Sequence, residues 1–136
     1  MKILLNKTSL TKSLGPFDDI GFVPTMGSIH KGHLSLINRS NQVCNKTIVS
    51  IFVNPKQFNN KKDFKTYPKN MKKDLRLLIK TKQVDFIYIP KFSDVFNNNK
   101  KRKIKINKKD KILCAKFRRG HFEGVLDVMD RLTNIV

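Results

Sequence analysis

Residues 21–37 read GFVPTMGSIHKGHLSLI. An apolar run meets Pro24, two glycines follow at Gly27 and Gly32, and two of the chain's three histidines, His30 and His33, lie three residues apart. Proline has no N–H for a sheet ladder, so Pro24 is expected to stop a strand. The glycines permit backbone angles that a side chain forbids. The stretch therefore predicts a strand-to-helix turn at the carboxyl end of a sheet, where α/β folds bind ligands. A helix start there offers free N–H groups and about half a positive charge, which makes an anion site. Histidines at i, i+3 project from one side of the turn. They can both donate to one phosphate and change protonation near neutral pH, with Lys31 adding a fixed charge between them. The plainer alternative is that both rings are caps or surface residues. With no Cys, Asp or Glu nearby they form a poor metal set, and no metal ligand is assigned.

Working outward, three apolar runs read as buried strands: 20–23, 47–53 and 84–89. Continuous β-branched and aromatic runs suit a parallel sheet covered on both faces. Helical patterns separate them. Leu36 with Val43 and Ile37 with Cys44 recur at heptad spacing, and Met71, Leu75 and Leu78 follow i, i+4, i+7. The alternation predicts an α/β fold with an open parallel sheet. A last helix carries Val125, Val128, Met129, Leu132 and Ile135 as one stripe. With no glycine cap and no polar tail, that stripe is expected to lie exposed and the domain to be cut short there. Residues 97–101 read as an exposed turn, and 100–109, where lysines alternate with isoleucines, as a half-exposed strand.

The chain has 136 residues, 39% of them hydrophobic, enough for one domain with a real core. No apolar run approaches the ~20 residues of a membrane span, and no signal-peptide pattern opens the sequence. Cys44 and Cys114 are isolated, so the expected compartment is the reducing cytoplasm. The net charge is +19, but only six of the 29 basic residues are arginine. Arginine is the better bidentate reader of phosphate and guanine, so no specific nucleic-acid partner is expected.

Four blocks together resemble the pantothenate synthetase (pantoate–β-alanine ligase) family: GFVPTMGSIHKGHLSLI at 21–37, VSIFVNPKQF at 49–58, the pair Tyr67-Pro68 with the helix after it, and RRGHFEGVLDVMDRLTNIV at 118–136. The resemblance implies a Rossmann-like fold of the H-x-G-H nucleotidyltransferase type. It also implies a ligase forming an amide bond. Pantoate attacks the α-phosphate of ATP, accompanied by Mg²⁺, to give pantoyl adenylate and pyrophosphate. The amine of β-alanine then displaces AMP and pantothenate forms. It further implies an ATP loop of Met26, Gly27, Ser28, Ile29, His30, Lys31, Gly32 and His33, with His33 as proton donor and His30 its companion. Gln57, Met26, Asn54 and Tyr67 would bind pantoate and β-alanine, and His121 would serve as a phosphate neighbour or a helix cap. A homodimer is implied as well.

Two departures stand out. The segment before the first strand is short and is interrupted by Gly15-Pro16. The family also continues beyond its counterpart of 118–136, with a Gly-Glu-Lys-Asp strand end, a second glutamine, a Ser-Ser-Arg-Asn loop and a C-terminal domain. Residues 1–136 are accordingly expected to form an incomplete N-terminal nucleotide-binding domain, truncated before the C-terminal domain. The competing readings are a noncatalytic basic remnant that binds polyanions, and a different H-x-G-H nucleotidyltransferase.

Overall fold

A computed structural model describes residues 1–58, 60–96 and 120–136. The turn and strand expected over 97–109, Cys114, and Arg118 and Arg119 of the last block lie outside the described residues. The elements run β1 (Lys2–Leu4), α1 (Lys7–Leu14), β2 (Ile20–Thr25), α2 (Lys31–Val43), β3 (Lys46–Ile51), a 3₁₀ turn (Pro55–Gln57), α3 (Lys61–Thr66), α4 (Met71–Thr81), β4 (Phe86–Tyr88), α5 (Phe92–Val95) and α6 (His121–Thr133). All described strands pair in parallel, in the order β1-β4-β3-β2. This is the expected α/β fold, with helices on both faces.

The sheet differs from expectation at both edges. β1 precedes the run read as the first strand and forms an edge against β4, with Ile3 opposite Ile87. Three residues are too few to show a period. α1 follows from Asn6, whose side chain accepts the Ser9 N–H, and it buries only Leu10 and Leu14. At the other edge Pro24 does not stop β2, which continues to Thr25 with Pro24 in register with Ser50. An edge strand bonds on one side only, so the missing N–H can face away from the ladder.

Side chains alternate across β3. Ile48 and Phe52 join the layer under α1, α5 and α6, while Val49 and Ile51 join the layer under α2 and α4. The heptad pairing in α2 is half right. Ile37 is buried, but Leu36 is 56% exposed and Val43 51% exposed. The buried companion of Ile37 is Ser40, whose hydroxyl meets Thr47 Oγ1 at 2.7 Å. Met71 is likewise exposed, and the buried positions of α4 are Asp74 and Leu78. The stripe of α6 is not left bare. Val128 and Leu132 are buried in the first layer, and Ile135 and Val136 pack against it. The Asn134 N–H caps the helix on Asp130 O and Leu132 O.

A small residue on each side lets α2 approach β2. A Cβ built on Gly21 would stand 1.9 Å from Ser40 Oγ and 2.9 Å from Ser40 Cβ. Gly21→Ala is therefore expected to destabilise the fold by about 1–3 kcal/mol, the usual cost of overpacking. Urea unfolding measures it, and an unchanged midpoint would show that the helix can slide.

Candidate functional site

The turn between β2 and α2 is held by groups on both sides. Thr25 Oγ1 donates to Ser50 O at 2.8 Å and accepts the Gly27 N–H at 3.1 Å. The chain then reverses through two left-handed residues, Gly27 (φ 78°) and Ser28 (φ 52°). The next two amides meet a single carboxylate from α4: Ser28 N–H donates to Asp74 Oδ2 at 2.9 Å, and Ile29 N–H to Asp74 Oδ1 at 2.8 Å. Ser28 Oγ adds a bond to Pro68 O at 2.9 Å. A left-handed non-glycine residue costs roughly 1–2 kcal/mol. Two hydrogen bonds to a charged acceptor, about 1.5–3 kcal/mol each, outweigh that cost. Ile29 then plugs into the core beside Val23 and Ile37.

His30 is the N-cap of α2. Its Nδ1 accepts the Gly32 N–H at 3.1 Å, and His33 Nδ1 accepts the His30 N–H at 3.4 Å, a reciprocal box made of two imidazoles. The rings stack with centroids 4.0 Å apart. Because Nδ1 accepts in both, each neutral ring carries its proton on Nε2, which is left to donate. The capping role and the donor role thus coexist. Partial burial lowers the pKa of His33, and proximity to His30 lowers it further, while Asp74 opposes both. The lowered pKa favours the neutral ring of His33, a hydrogen-bond donor without a fixed charge.

His33 also lines a cavity of about 210 Å³. Its walls are mostly apolar, with Phe52, Val125, Val128 and Met129 among them, and its polar members are Thr25, Gln57 and His33. Gln57 is 4% exposed, with Nε2 at 2.9 Å from Met26 Sδ, and Met26 lines the same cavity. The turn that carries Gln57 is fastened to the start of α6. Asn54 Oδ1 accepts the Lys56 N–H, Asn54 Nδ2 donates to Gly124 O, and His121 Nδ1 meets Gln57 O. Gly124 permits this approach, since a Cβ there would lie 2.8 Å from both Lys56 O and Gln57 Cα.

The structure thus brings Met26, His33 and Gln57 onto one cavity, with His30 stacked on His33. In the loop expected to hold ATP, the Ser28 and Ile29 amides face Asp74. Lys31 is exposed at the first position of α2, and the Gly32 amide is bound to His30. Asn54 is fully buried with both amide ends engaged, so it braces the turn. Tyr67 caps α3, packs edge-on to Phe58, and is absent from the cavity wall. Burial raises its pKa, and Asp74 raises it further. His121, the first residue of α6, meets Gln57 O through Nδ1 and so secures the backbone of Gln57. Sequence reasoning missed Thr25, Asp74 and Gly124. A glycine inside a helical pattern signals close packing, but nothing marked its partner. Among the described residues no cluster of three or more His, Cys, Asp or Glu side chains could hold a metal ion. None of the described helices is long and apolar enough to cross a membrane.

Comparison with known proteins gives one consistent result. The family model for pantoate–β-alanine ligase matches residues 4–136. The pantothenate synthetase of Pseudothermotoga lettingae is 45% identical over 117 residues, covering 86% of this chain and 41% of the relative. That of Endomicrobium trichonymphae is 42% identical over 139 residues, covering 99% and 49%. The crystal structure of pantoate–β-alanine ligase from Francisella tularensis, complexed with β-γ ATP and β-alanine, superposes with a TM-score of 0.91 at 37% identity. It covers 99% of this chain and 53% of the other. The chain spans about half the length of the relatives it matches.

Two outcomes are expected at the site. Gly124→Ala should push α6 off the 3₁₀ turn and cost about 1–3 kcal/mol in urea unfolding, together with shifts in the Gln57 side-chain amide resonances. Protonation should also act against the fold. The folded pKa of His33 lies below the ordinary histidine value of 6.5, so the unfolded chain binds the extra proton more readily. The contribution of His33 is present above 6.5 and is lost as pH falls from there toward the folded value. Unfolding free energies measured across that window, compared with His33→Gln, isolate it.

Proposed function

Because this chain belongs to the pantoate–β-alanine ligase family, we propose that it supplies the nucleotide- and acid-binding part of a ligase that joins pantoate to β-alanine. ATP is consumed through a pantoyl adenylate, and AMP and pyrophosphate are released. The observation that carries this reading is the cavity in which His33, at the N-terminus of α2, faces the same space as Gln57 and an apolar wall. That space suits a small branched hydroxy acid. Apolar walls receive the methyl groups, and the Gln57 amide can donate to a carboxylate and accept from a hydroxyl.

In this reading the pantoate carboxylate attacks the α-phosphorus of ATP, and the P–O bond to pyrophosphate breaks. Charge builds on the equatorial oxygens. The Nε2–H groups of His33 and His30 and the positive end of α2 are donors set in place before that charge appears. At the position that the family resemblance marks as proton donor, His33 acts as a neutral Nε2–H hydrogen-bond donor. Mg²⁺ enters with the triphosphate, as part of the substrate. The amine of β-alanine then attacks the acyl carbon of the mixed anhydride beside Gln57, and AMP leaves. Met26 supplies apolar wall. Asn54 acts through the turn it braces, and Tyr67 from the segment flanking the loop. The family supports a cytoplasmic homodimer, and the lysine-rich surface supports no sequence-specific nucleic-acid contact.

Calorimetry with ATP and with pantoate tests the reading directly: the 136-residue chain should bind both weakly. By itself this stretch, which spans about half the length of its relatives, should form no pantothenate. Pantoate-dependent pyrophosphate release should appear when the chain is supplemented with the C-terminal half of a full-length relative. In that assay His33→Ala should lower the rate by roughly 10²–10³, the usual effect of losing one prepositioned donor. Gln57→Ala should weaken pantoate more than ATP. Failure of pantoate to bind the unsubstituted chain at millimolar concentration would overturn the assignment of the cavity.

A further inference from the structure

Asp74 belongs to α4, has 3% exposure, and places one carboxylate oxygen on each of two successive backbone N–H groups in the β2–α2 turn. A carboxylate is rarely buried unless its oxygens are satisfied. Here the donors are main-chain amides at a point where the chain turns left-handed twice in succession, at Gly27 and Ser28. The fit is close. A Cβ on Gly27 would stand 2.8 Å from Asp74 Oδ2, so the carboxylate fills the space that glycine leaves open. A second tie, Ser28 Oγ to Pro68 O, comes from the same flanking segment six residues earlier. The loop is therefore moulded from outside as well as by its own Thr25 and Gly27.

We propose that Asp74 is a positioning residue. By accepting the Ser28 and Ile29 amides it fixes the turn that carries His30 and His33, so the direction of their Nε2–H groups toward an anionic phosphate is set from α4. The identity of that anion rests on the ligase reading; the positioning itself does not. Asp74 is also the negative group set against His33, where it opposes the influence of His30 and of burial. His30 on its own helix and Asp74 from α4 are the titratable groups that act on that ring. One carboxylate thus serves both the shape of the donor pair and the protonation of its inner member.

The test uses the 136-residue chain and needs no ligand. In Asp74→Asn one acceptor becomes a donor facing a donor. Hydrogen exchange at Ser28 and Ile29 should accelerate by about tenfold or more. With the negative charge gone, the NMR titration midpoint of His33 should move to lower pH. Asp74→Glu keeps the charge but is one methylene too long. It should leave the His33 midpoint close to that of the unsubstituted chain while exchange still accelerates, which separates charge from geometry. ATP affinity should fall in both variants. A folded Asp74→Asn chain with unchanged exchange at both amides and an unchanged His33 midpoint would overturn the proposal. Should the variants fail to fold, exchange in the unsubstituted chain decides: protected Ser28 and Ile29 amides support the clamp, and exchange at open-loop rates overturns it. If ATP binds none of the chains, the ligase reading fails, while the exchange and titration still judge Asp74.

Discussion

A polar main chain cannot turn sharply inside a fold unless its N–H groups find acceptors. In this protein the decisive turn, from β2 into α2, meets that constraint by taking a carboxylate from a different helix. Asp74 lies 46 and 45 residues from the amides it accepts. Without it, a buried and a part-buried donor and a left-handed serine would stand uncompensated at the start of α2. The histidine pair is built on that start. Its reciprocal cap holds the two rings relative to the helix, and the clamped turn, with Ile37 and Ser40 against the sheet, holds the helix relative to the cavity.

The second half of the site follows a different logic. Gln57 sits on a 3₁₀ turn of three residues, too short to hold itself in place. Its position is borrowed from α6, through His121 on its carbonyl, Asn54 on Gly124 O, and the bare Cα of Gly124 beneath it. Further out, Phe96 lies between two cations, Lys56 Nζ at 4.1 Å and Arg131 Cζ at 4.7 Å from the ring centroid. That contact, of order 0.5–1 kcal/mol per cation, joins the turn, α5 and α6 into one block. The cavity is the gap between a clamped loop and a borrowed turn.

Much of this was legible in the sequence. Three strands declared themselves as apolar runs, and the H-x-G-H stretch after a proline–glycine turn marked the start of α2. β1 was illegible because three residues at an edge carry no period. The stripe in α2 misled because its real contact is Ser40 against Gly21, two residues that hydrophobicity ignores. Asp74 stood among lysines and resembled an ordinary first-turn acid. Its partners are backbone amides, which have no letter in the sequence. Gly124 carried a signal, a glycine inside a helix, yet the turn it touches lies about 70 residues earlier. Local chemistry could be read directly; contacts closed by tertiary packing could not.

The order of these elements along the chain has a consequence for synthesis. The partners of the loop clamp are complete once Asp74 has emerged, whereas Gln57 waits for Gly124. The loop-closure difference between separations of 46 and 70 residues is less than one doubling, under about 0.6 kcal/mol, so entropy hardly ranks the two. Vectorial emergence does. At roughly 5–20 residues per second, the stretch between residues 74 and 124 takes about 2–10 s to appear. During that interval the nascent chain can close the β2–α2 turn on Asp74 but not yet fasten the turn that carries Gln57. The apolar wall contributed by Val125, Val128 and Met129 is also still missing. The faces of Phe52 and Pro24 that will line the cavity are then open to the first hydrophobic surface they meet, which makes this the window in which a chaperone has most to protect.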